Sequence, residues 1–476
     1  MKYEAVIGLE VHAQLATKSK LFCPCSTAFG AKPNTNICPV CSGQAGALPV
    51  LNKMAVEMAV KSGLALGCTI QEKSIFARKN YFYPDLPKGY QISQYEKPLC
   101  LNGHLDIVTD GKLKRVHIQR IHMEEDAGKL LHETGHENFS HVDLNRCSTP
   151  LIEIVSGPDL STPQEAADTY RKLRNILVYL EVCDGNMQEG NLRCDANVSL
   201  RPIGAKAFGT RSEIKNVNSF KFLENAIAYE IKRQAEILDG GGKVVQETRL
   251  WNQAKQMTTS MRSKEEAHDY RYFPDPDLLP LVVDTLWIEK IKSSLPELPE
   301  AKAERFVSDY GLPEQDAQVL TAEKPMAHYF EECIVGFNAP KKIANWIMAE
   351  LMRELKSREL DITQIKMKPN QLAHMVALIE NGTISGAIGK TIFMEMLNSG
   401  TDPDKIIEAK GLKQVTDTST IEIVIDKIIA KETENVQRYK SGKTNVFGFF
   451  VGAVMKEMGG KANPKIVNEI LRKKLN

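Results

Sequence analysis

The sequence has no long hydrophobic run, almost no net charge and no common nucleotide-binding signature. No apolar stretch reaches the roughly 18 residues needed to cross a bilayer, and residues 1–5 do not resemble a signal peptide, so we expect a cytoplasmic protein. The net charge of +1 excludes a strong field over the whole molecule, so a nucleic-acid contact would have to be local. Residues 240–243 (GGGK) lack the first glycine and the Ser/Thr of a phosphate-binding loop and are predicted to form a turn.

Disulfides are not expected in a reducing compartment, so the ten cysteines should be free thiols or metal ligands. Cys23 and Cys25 form one close pair, and Cys38 and Cys41 form a second after a loop rich in Gly, Pro and Asn. This spacing can place four thiolates tetrahedrally around zinc; disulfides or buried thiols are the alternatives. Four protein ligands fill the coordination sphere, which predicts a structural zinc site in residues 23–41.

Three stretches alternate between apolar and polar residues, which predicts strands with one buried face: residues 6–15, 190–200 and 211–215. Each polar face could be an ordinary solvated face. The residues on these faces are Glu10 and His12, then Arg193, Asp195 and Asn197, and finally Glu213 and Lys215.

A fourth strand is predicted to end in residues 120–129 (RIHMEEDAGK). Because side chains alternate along a strand, His122, Glu124 and Asp126 would share one face and Glu125 would lie on the other. Glu124 and Glu125 should then have different roles, and we predict the functional role for Glu125. A solvated acidic turn is the alternative.

Two loops rich in aromatic residues are suited to base stacking and phosphate contact, although packing of loop aromatics would explain them equally well. Residues 80–95 include Tyr83 and follow Lys79. Residues 269–277 include Arg271.

Four polar strand faces in one domain suggest a shared, hydrated cavity. Carboxylates gathered there repel one another unless a cation lies among them, and oxygen ligands with one histidine suit magnesium. Nearby arginines and lysines would hold phosphate. The pattern predicts a site for a nucleoside triphosphate with magnesium.

The chain changes character near residue 293, where alternation ends and helical patterns begin. We predict a domain over residues 1–292, a helical domain over 293–410 and a small helical domain over 411–476. The last 36 residues hold seven Lys/Arg against two Glu, which is typical either of a solvated helix surface or of a nucleic-acid contact. The lysines singled out for that contact are Lys443, Lys456, Lys461 and Lys465.

Six motifs carry a resemblance to a known family: residues 8–12 (GLEVH), 80–85 (NYFYPD), 122–129 (HMEEDAGK), 143–146 (DLNR), 192–197 (LRCDAN) and 269–274 (DYRYFP). They resemble the B subunits of tRNA-dependent amidotransferases (the GatB/GatE family), and the length fits the bacterial GatB type. Residues 462–464 and the helix after them are similar to that family's YqeY-like tail. The resemblance implies an α+β fold, with a mostly antiparallel sheet cradle followed by an all-α linker domain and an all-α tail.

The resemblance also implies a reaction. ATP would phosphorylate the side-chain carboxylate of misacylated Glu-tRNA(Gln) or Asp-tRNA(Asn), and ammonia would then displace phosphate to form the amide. That makes the protein a ligase with glutamine as amido donor, dependent on ATP and Mg²⁺. The implied partners are an amidase A subunit, which releases the ammonia, and a small C subunit in a heterotrimer. A non-catalytic tRNA-binding zinc scaffold and a lone metal-dependent hydrolase are the rival hypotheses.

On this interpretation the site residues fall into two groups. The expected magnesium ligands are Glu10, His12 and Glu125, and Glu124 and Glu213 are the next candidates for that role. The expected contacts to ATP or the substrate carboxylate come from Lys79, Tyr83, Arg193, Asp195, Asn197, Lys215 and Arg271, and the catalytic set is Glu10, His12, Glu125, Glu213 and Lys79.

Overall fold

The computed structural model describes residues 2–109, 111–131, 139–263, 270–412, 417–459 and 462–475. Spatial proximity divides the chain into two compact units, Met1–Leu298 and Pro299–Asn476. All the strands that the structure describes lie in the first unit. The predicted division into 1–292, 293–410 and 411–476 stays a prediction.

The described strands are named in chain order: β1 (Tyr3–Gln14), β2 (Thr69–Ile70), β3 (Lys73–Ser74), β4 (Ala77–Asn80), β5 (Tyr90–Ser93), β6 (Cys100–Thr109), β7 (Lys112–Glu125), β8 (Lys129–Leu131), β9 (His141–Asp143), β10 (Pro150–Ser156), β11 (Leu192–Pro202), β12 (Ser212–Val217), β13 (Glu247–Asn252), β14 (Met257–Ser263), β15 (Phe273–Pro274) and β16 (Leu281–Val282).

The described α-helices are α1 (Lys53–Ala65), α2 (Pro163–Tyr179), α3 (Phe220–Asp239), α4 (Thr285–Ser293), α5 (Pro299–Tyr310), α6 (Glu314–Thr321), α7 (Lys324–Gly336), α8 (Pro340–Trp346), α9 (Met352–Arg358), α10 (Pro369–Glu380), α11 (Gly386–Ser399), α12 (Pro403–Lys410), α13 (Thr418–Lys431), α14 (Thr433–Lys440), α15 (Phe447–Glu457) and α16 (Pro464–Leu475). A π-helical turn, Ile347–Leu351, joins α8 to α9, and short 3₁₀ turns span Ile362–Gln364 and Thr444–Val446.

Nine strands form one sheet in the order β14-β13-β12-β11-β1-β10-β7-β6-β2. Neighbouring strands are antiparallel except for β12 and β13, which are parallel. Three smaller sheets, β15-β4-β5, β16-β3 and β8-β9, complete the unit. The long β1 lies at the centre of the large sheet, so its polar face meets polar side chains of both neighbours.

One face of the large sheet forms the core of the first unit. Leu9 and Val11 of β1 are buried with Tyr170 and Leu177 of α2 and Ile227 of α3 in one hydrophobic cluster. Removing such a side chain from water contributes about 1.5–3 kcal/mol. The residues of β1 that alternate with these therefore lie on the other, polar face of the sheet.

The helices begin where the sequence supplies caps. The hydroxyl of Thr162 accepts from the backbone N–H of Glu165 in a capping box, and Ser219 caps α3 by accepting from the N–H of Phe222. Each such cap contributes about 1 kcal/mol. The sequence itself signals both helix starts, since a Thr or Ser directly precedes each helical stretch, and the turn predicted over residues 240–243 begins at Gly240.

The second unit contains two separate hydrophobic clusters. One joins residues 306–407 and includes Phe330 and Phe393, and the other joins residues 421–475 and includes Ile425 and Phe450. Among the described residues no helix is both long and apolar enough to cross a membrane. The predicted α+β class, with a mostly antiparallel sheet followed by helices, is confirmed.

Candidate active site

One row of charged side chains crosses four adjacent strands of the large sheet. Arg193 on β11 lies opposite His12 on β1, His12 lies opposite Glu153 on β10, and Glu153 lies opposite His122 on β7. Directly opposite residues in an antiparallel pair point to the same face. The antiparallel register therefore gathers side chains that are far apart in the sequence.

His12, Glu124 and Glu153 form a compact cluster in this row. The Nε2 atom of His12 lies 3.3 Å from a carboxylate oxygen of Glu153 and 3.8 Å from one of Glu124. The Nε2 atom of His122 lies 3.5 and 3.7 Å from the same two carboxylates, and Ser93 donates to Glu124 at 3.2 Å. One donor atom from each of His12, Glu124 and Glu153 lies within 4.8 Å of the other two.

The carboxylates of this cluster are charged. Burial alone would raise the pKa of Glu153, but the imidazoles of His122 and His12 and the ammonium of Lys79 hold it well below its ordinary value. Burial likewise opposes ionisation of Glu124, whose pKa is lowered by His122 and Lys79. The same carboxylates raise the pKa of Lys79 against the effect of its own burial. The cluster thus presents two ionised carboxylates and a nearby fixed cation.

The donor set fits a hard divalent cation. Two ionised carboxylates and one imidazole, all largely buried, are held close enough to share an ion, and the carboxylates repel each other without a positive charge between them. Oxygen-dominated ligation favours magnesium over zinc. Glu153 lies in this donor set, and Glu125, which the sequence analysis expected there, does not.

A second network of charges lies next to the first along the same strands. Asn197 donates to Glu10 at 2.8 Å, and Lys215 contacts Asp195 at 2.7 Å and Glu213 at 3.1 Å. Burial, followed by the charges of Glu153, Glu213 and Asp195, raises the pKa of Glu10. Four of the strands predicted to share a polar cavity, β1, β7, β11 and β12, do lie in one sheet with these side chains together.

A cavity of about 230 Å³ opens beside Glu10 and Asn197. Its wall also includes Gly8, the exposed ring of Phe208 and the side chain of Arg211. The cavity therefore combines an apolar ring with a cation next to the carboxylate cluster.

Glu125 lies away from the cluster. It is buried, pairs with the ammonium of Lys88 and accepts from the backbone N–H of Ile92 at 2.9 Å. Glu124, one residue earlier, points to the face that holds His12 because adjacent residues of a strand alternate. The structure does not bring Glu125 together with Glu10 and His12.

Arg193 belongs to a separate ion cluster around Asp126. Its Nη2 atom lies 3.1 Å from both carboxylate oxygens of Asp126, which also accepts from Gln14 at 2.7 Å and lies 3.6 Å from Arg146. Tyr83 is 51% exposed, and Arg271 is exposed with a backbone φ of 42°.

The four predicted zinc ligands come together. One sulfur from each of Cys23, Cys25, Cys38 and Cys41 lies within 4.8 Å of the others. The fully buried Lys20 places its ammonium 3.4 Å from the sulfur of Cys41. Four convergent thiols beside a buried cation fit a divalent metal held as a thiolate complex.

The predicted nucleic-acid lysines lie in the second unit. Lys443, Lys456 and Lys465 are exposed, and Lys461 lies outside the described residues. By contrast, Lys474 is paired with Glu422 at 2.8 Å and with Asp426 at 2.6 Å.

The sequence analysis missed Glu153 and gave no role to His122 or Lys88. A signal for Glu153 was present, since it is the single charged residue in β10, whose other residues are apolar except for the final Ser156. Lys88 had no comparable signal, because only the fold brings its loop against the end of β7.

Comparisons with known proteins identify the family of this chain. A family profile described as the GatB/GatE catalytic domain matches residues 5–289, and one described as the GatB domain matches residues 328–475. The chain is 59% identical over 478 residues to the B subunit of the aspartyl/glutamyl-tRNA(Asn/Gln) amidotransferase of Geotalea uraniireducens, covering all of both chains. It is 58% identical to the same-named protein of Geobacter sulfurreducens, again over all of both chains, and 56% identical to that of Solidesulfovibrio magneticus, over 100% of this chain and 99% of the relative. The chain therefore belongs to the GatB/GatE family, as its motifs, fold and carboxylate-lined sheet together indicate.

Proposed function

We propose that this chain is the B subunit of a tRNA amidotransferase and that it activates and amidates the side-chain carboxylate of a misacylated Glu-tRNA(Gln) or Asp-tRNA(Asn). Full-length similarity to relatives named as that subunit supports the role. The structural observation that carries it is the buried cluster of His12, Glu124 and Glu153 next to Lys79. A tRNA-binding scaffold without catalysis would have no use for this cluster.

Activation is needed because hydroxide is a poor leaving group. An oxygen of the substrate carboxylate attacks the γ-phosphorus of ATP, the bond to ADP breaks, and an acyl phosphate remains. Ammonia then attacks the acyl carbon, loses a proton and expels phosphate to leave the amide. Positioning and stabilisation of negative charge dominate the catalysis of such phosphoryl transfer.

Magnesium, held by His12, Glu124 and Glu153, would offset the charge on the phosphates. Lys79 supplies a permanently protonated ammonium beside the same carboxylates, and it would contact either the transferred phosphoryl group or the substrate carboxylate. The predicted roles of Glu10 and Glu213 as further ligands, and of Asp195 and Lys215 as substrate contacts, remain part of this proposal.

The cavity beside Glu10 suits the nucleotide. Phe208 offers a ring for the base, and Arg211 and Asn197 offer donors. Because Glu10 lines the cavity and its pKa responds to Glu153, the phosphates of a nucleotide bound there would approach the cluster.

Three further parts of the proposal concern the assembly. The ammonia would come from glutamine hydrolysed by an amidase A subunit, in a heterotrimer completed by a small C subunit. Zinc would be held by Cys23, Cys25, Cys38 and Cys41 as a structural ion. Exposed lysines near the C-terminus would bind the outer part of the tRNA.

The test uses the assembled enzyme and measures ADP formed on addition of misacylated tRNA. Glu153→Gln should lower the rate by about 100-fold or more, since electrostatic stabilisation of the transition state is lost, while tRNA affinity stays within about threefold. Glu236→Gln, at an exposed position of α3, is the matched control and should be unchanged.

Two outcomes would contradict the proposal. ADP formation by the wild-type enzyme that ignores misacylated tRNA would favour a separate hydrolase. A Glu153→Gln enzyme with the wild-type rate would remove the carboxylate cluster from the mechanism. Glu125→Gln is tested in parallel, with magnesium binding as the measurement, to decide between the sequence prediction and the observed geometry. Only a loss of magnesium binding in that variant would restore Glu125 as a ligand.

A further inference from the structure

A second, smaller cavity of about 100 Å³ lies beside the three-stranded sheet β15-β4-β5. Tyr95, Tyr272 and Phe273 line it together with Lys97. The rings of Tyr95 and Tyr272 are stacked, with centroids 4.2 Å apart and planes 5° from parallel. Tyr270 meets the edge of Tyr272 at 6.0 Å. The aromatic residues of this group come from the two aromatic loops whose chemistry the sequence left open.

The stacked pair is open to solvent at one end. Tyr95 is 49% exposed and Phe273 is 44% exposed. Large aromatic side chains in a folded protein are usually well covered, so an open stack next to a cavity is suited to binding another flat ring. Arg120 donates to the backbone oxygen of Tyr95 at 3.4 Å, so its guanidinium lies close to the stack.

Lys79 links the other end of the pair to the carboxylate cluster, since its ammonium lies 5.0 Å from the centre of the Tyr270 ring, which contacts Tyr272. Burial raises the pKa of Tyr272 to about 12, while Lys79 acts in the opposite direction and Glu124 and Glu153 add to the increase. Lys79 itself belongs to β4, which pairs with the strand that follows Tyr272.

Two cavities therefore adjoin the carboxylate cluster through different residues. Glu10 itself lines the cavity of about 230 Å³, and the cavity of about 100 Å³ is connected to the cluster through Tyr272, Tyr270 and Lys79. The proposed phosphorylation step has two substrates, ATP and the aminoacyl-tRNA, and each carries an adenosine at one end. A cavity for each substrate on its own side would let both reacting groups meet at the cluster.

We propose that the Tyr95–Tyr272 stack binds the 3′-terminal adenine of the aminoacyl-tRNA, and this inference rests on the proposed function. The aminoacyl group is attached to the ribose of that nucleotide, so holding the base fixes how far the side-chain carboxylate reaches. The open end of the stack admits the end of a long polymer, and Lys97 and Arg120 supply positive charge for its phosphates. Glu96 also lines the cavity, and its negative charge disfavours binding of a densely charged anion such as a triphosphate.

Binding is measured with the assembled enzyme and two uncharged tRNAs, one with the complete CCA end and one without the terminal adenosine. The wild-type enzyme should prefer the complete tRNA by about 5- to 100-fold, the range expected when one base stacks on an aromatic ring. Tyr95→Leu should reduce the preference to about twofold or less. Tyr95→Phe, which keeps the ring, should retain it.

A second measurement needs no variant. A tRNA whose terminal adenine is replaced by the fluorescent analogue 2-aminopurine should be quenched on binding to the wild-type enzyme, because stacking on an aromatic ring quenches it. Unquenched fluorescence in the bound state would overturn the inference, and so would full CCA preference in Tyr95→Leu.

The KM for ATP shows whether this cavity binds the adenine of ATP or the terminal adenine of the tRNA. It also distinguishes this inference from the proposed function. It should be unchanged in Tyr95→Leu. A raised KM for ATP with an intact CCA preference would assign this cavity to the nucleotide and overturn the inference. Failure of the proposed function would be seen differently, as a wild-type enzyme that makes no ADP in response to misacylated tRNA.

Discussion

Asp126 shows how a single buried carboxylate is kept ionised. Burial opposes its charge, but Arg193, Arg146 and the amide of Gln14 outweigh that effect and lower its pKa. The pKa of Glu124 is likewise lowered by His122 and Lys79, and that of Glu153 by His122, His12 and Lys79. These three carboxylates remain charged at neutral pH because cationic side chains lie beside them.

The charge on Asp126 should make stability depend on pH. Its folded pKa lies below the unfolded value, so its contribution is fully present above about pH 4 and is lost as the pH falls through the folded pKa. Asp126→Asn should lower the free energy of unfolding near neutral pH by about 1–3 kcal/mol, since a buried hydrogen-bonded charge pair is broken. Urea denaturation from about pH 7 down to about pH 3 measures this.

The deficit of Asp126→Asn relative to the wild type should shrink towards the acid end of that series. Asp106→Asn is the matched control, because Asp106 pairs with Arg115 on the surface and its loss should matter much less. A deficit independent of pH would mean that packing rather than charge is what Asp126 contributes.

The pairing of strands and the packing of loops bring together side chains that are distant in the sequence. The strand β10 lies between β1 and β7, and through that position Glu153 faces both His12 and His122. The loop of residues 23–41 likewise depends on its surroundings. Cys147 donates to the backbone oxygen of Cys41 at 3.2 Å, and Gly43, with a φ of 69°, lies so close to Lys88 that a Cβ there would approach its Cγ to 2.4 Å.

The cysteine loop should bind its metal as a unit. A double substitution, Cys38→Ser with Cys41→Ser, should lower the zinc content from about one per chain to less than about a tenth, because two thiolates cannot hold a structural zinc ion. Metal analysis of the purified protein measures this. Cys183→Ala, outside the four-cysteine cluster, should keep the metal.

Full zinc retention in the double variant would refute the assignment. A loss of zinc that leaves thermal stability unchanged would show that the loop needs no metal to keep its fold.

At the scale of the whole molecule, two compact units share a chain of almost no net charge. The first holds the sheet with its carboxylate cluster, and the second ends in helices that carry exposed lysines. A protein without a strong overall field binds nucleic acid through local patches, so tRNA affinity and catalysis should be separable by mutation.

Replacement of the exposed lysines Lys443, Lys456 and Lys465 by alanine should weaken tRNA binding by about tenfold or more at low salt. It should also make the dependence of the logarithm of affinity on the logarithm of salt concentration less steep, by up to about 0.9 for each lost phosphate contact. Binding titrations at several salt concentrations measure both effects.

The control for these lysines is Lys474→Ala, because that ammonium is already paired with Glu422 and Asp426. It should change the affinity far less. Equal effects from the triple variant and the control would indicate that no specific patch exists, and an unchanged affinity in the triple variant would refute the basic contact.

Much of this could be predicted from local sequence. Alternation along residues 6–15 and 190–200 predicts the strands and their polar faces, the caps at Thr162 and Ser219 predict two helix starts, and cysteine spacing predicts the convergence of four thiols. These features depend on neighbours within a few residues. The family motifs are equally local, and the family assignment they predicted is confirmed.

The tertiary structure decided which residues meet. Glu124 and Glu125 are adjacent residues with identical side chains. Only the register of β7 against β10 shows that Glu124 faces His12 while Glu125 pairs with Lys88. A shift of one residue would exchange the two, because side chains alternate along a strand. The sequence by itself determined the chemistry available to this site, since that depends on residue types and short spacings. The order and register of the strands decided its geometry, since those depend on pairing between residues far apart in the sequence, from 31 positions for His122 and Glu153 to 181 positions for His12 and Arg193.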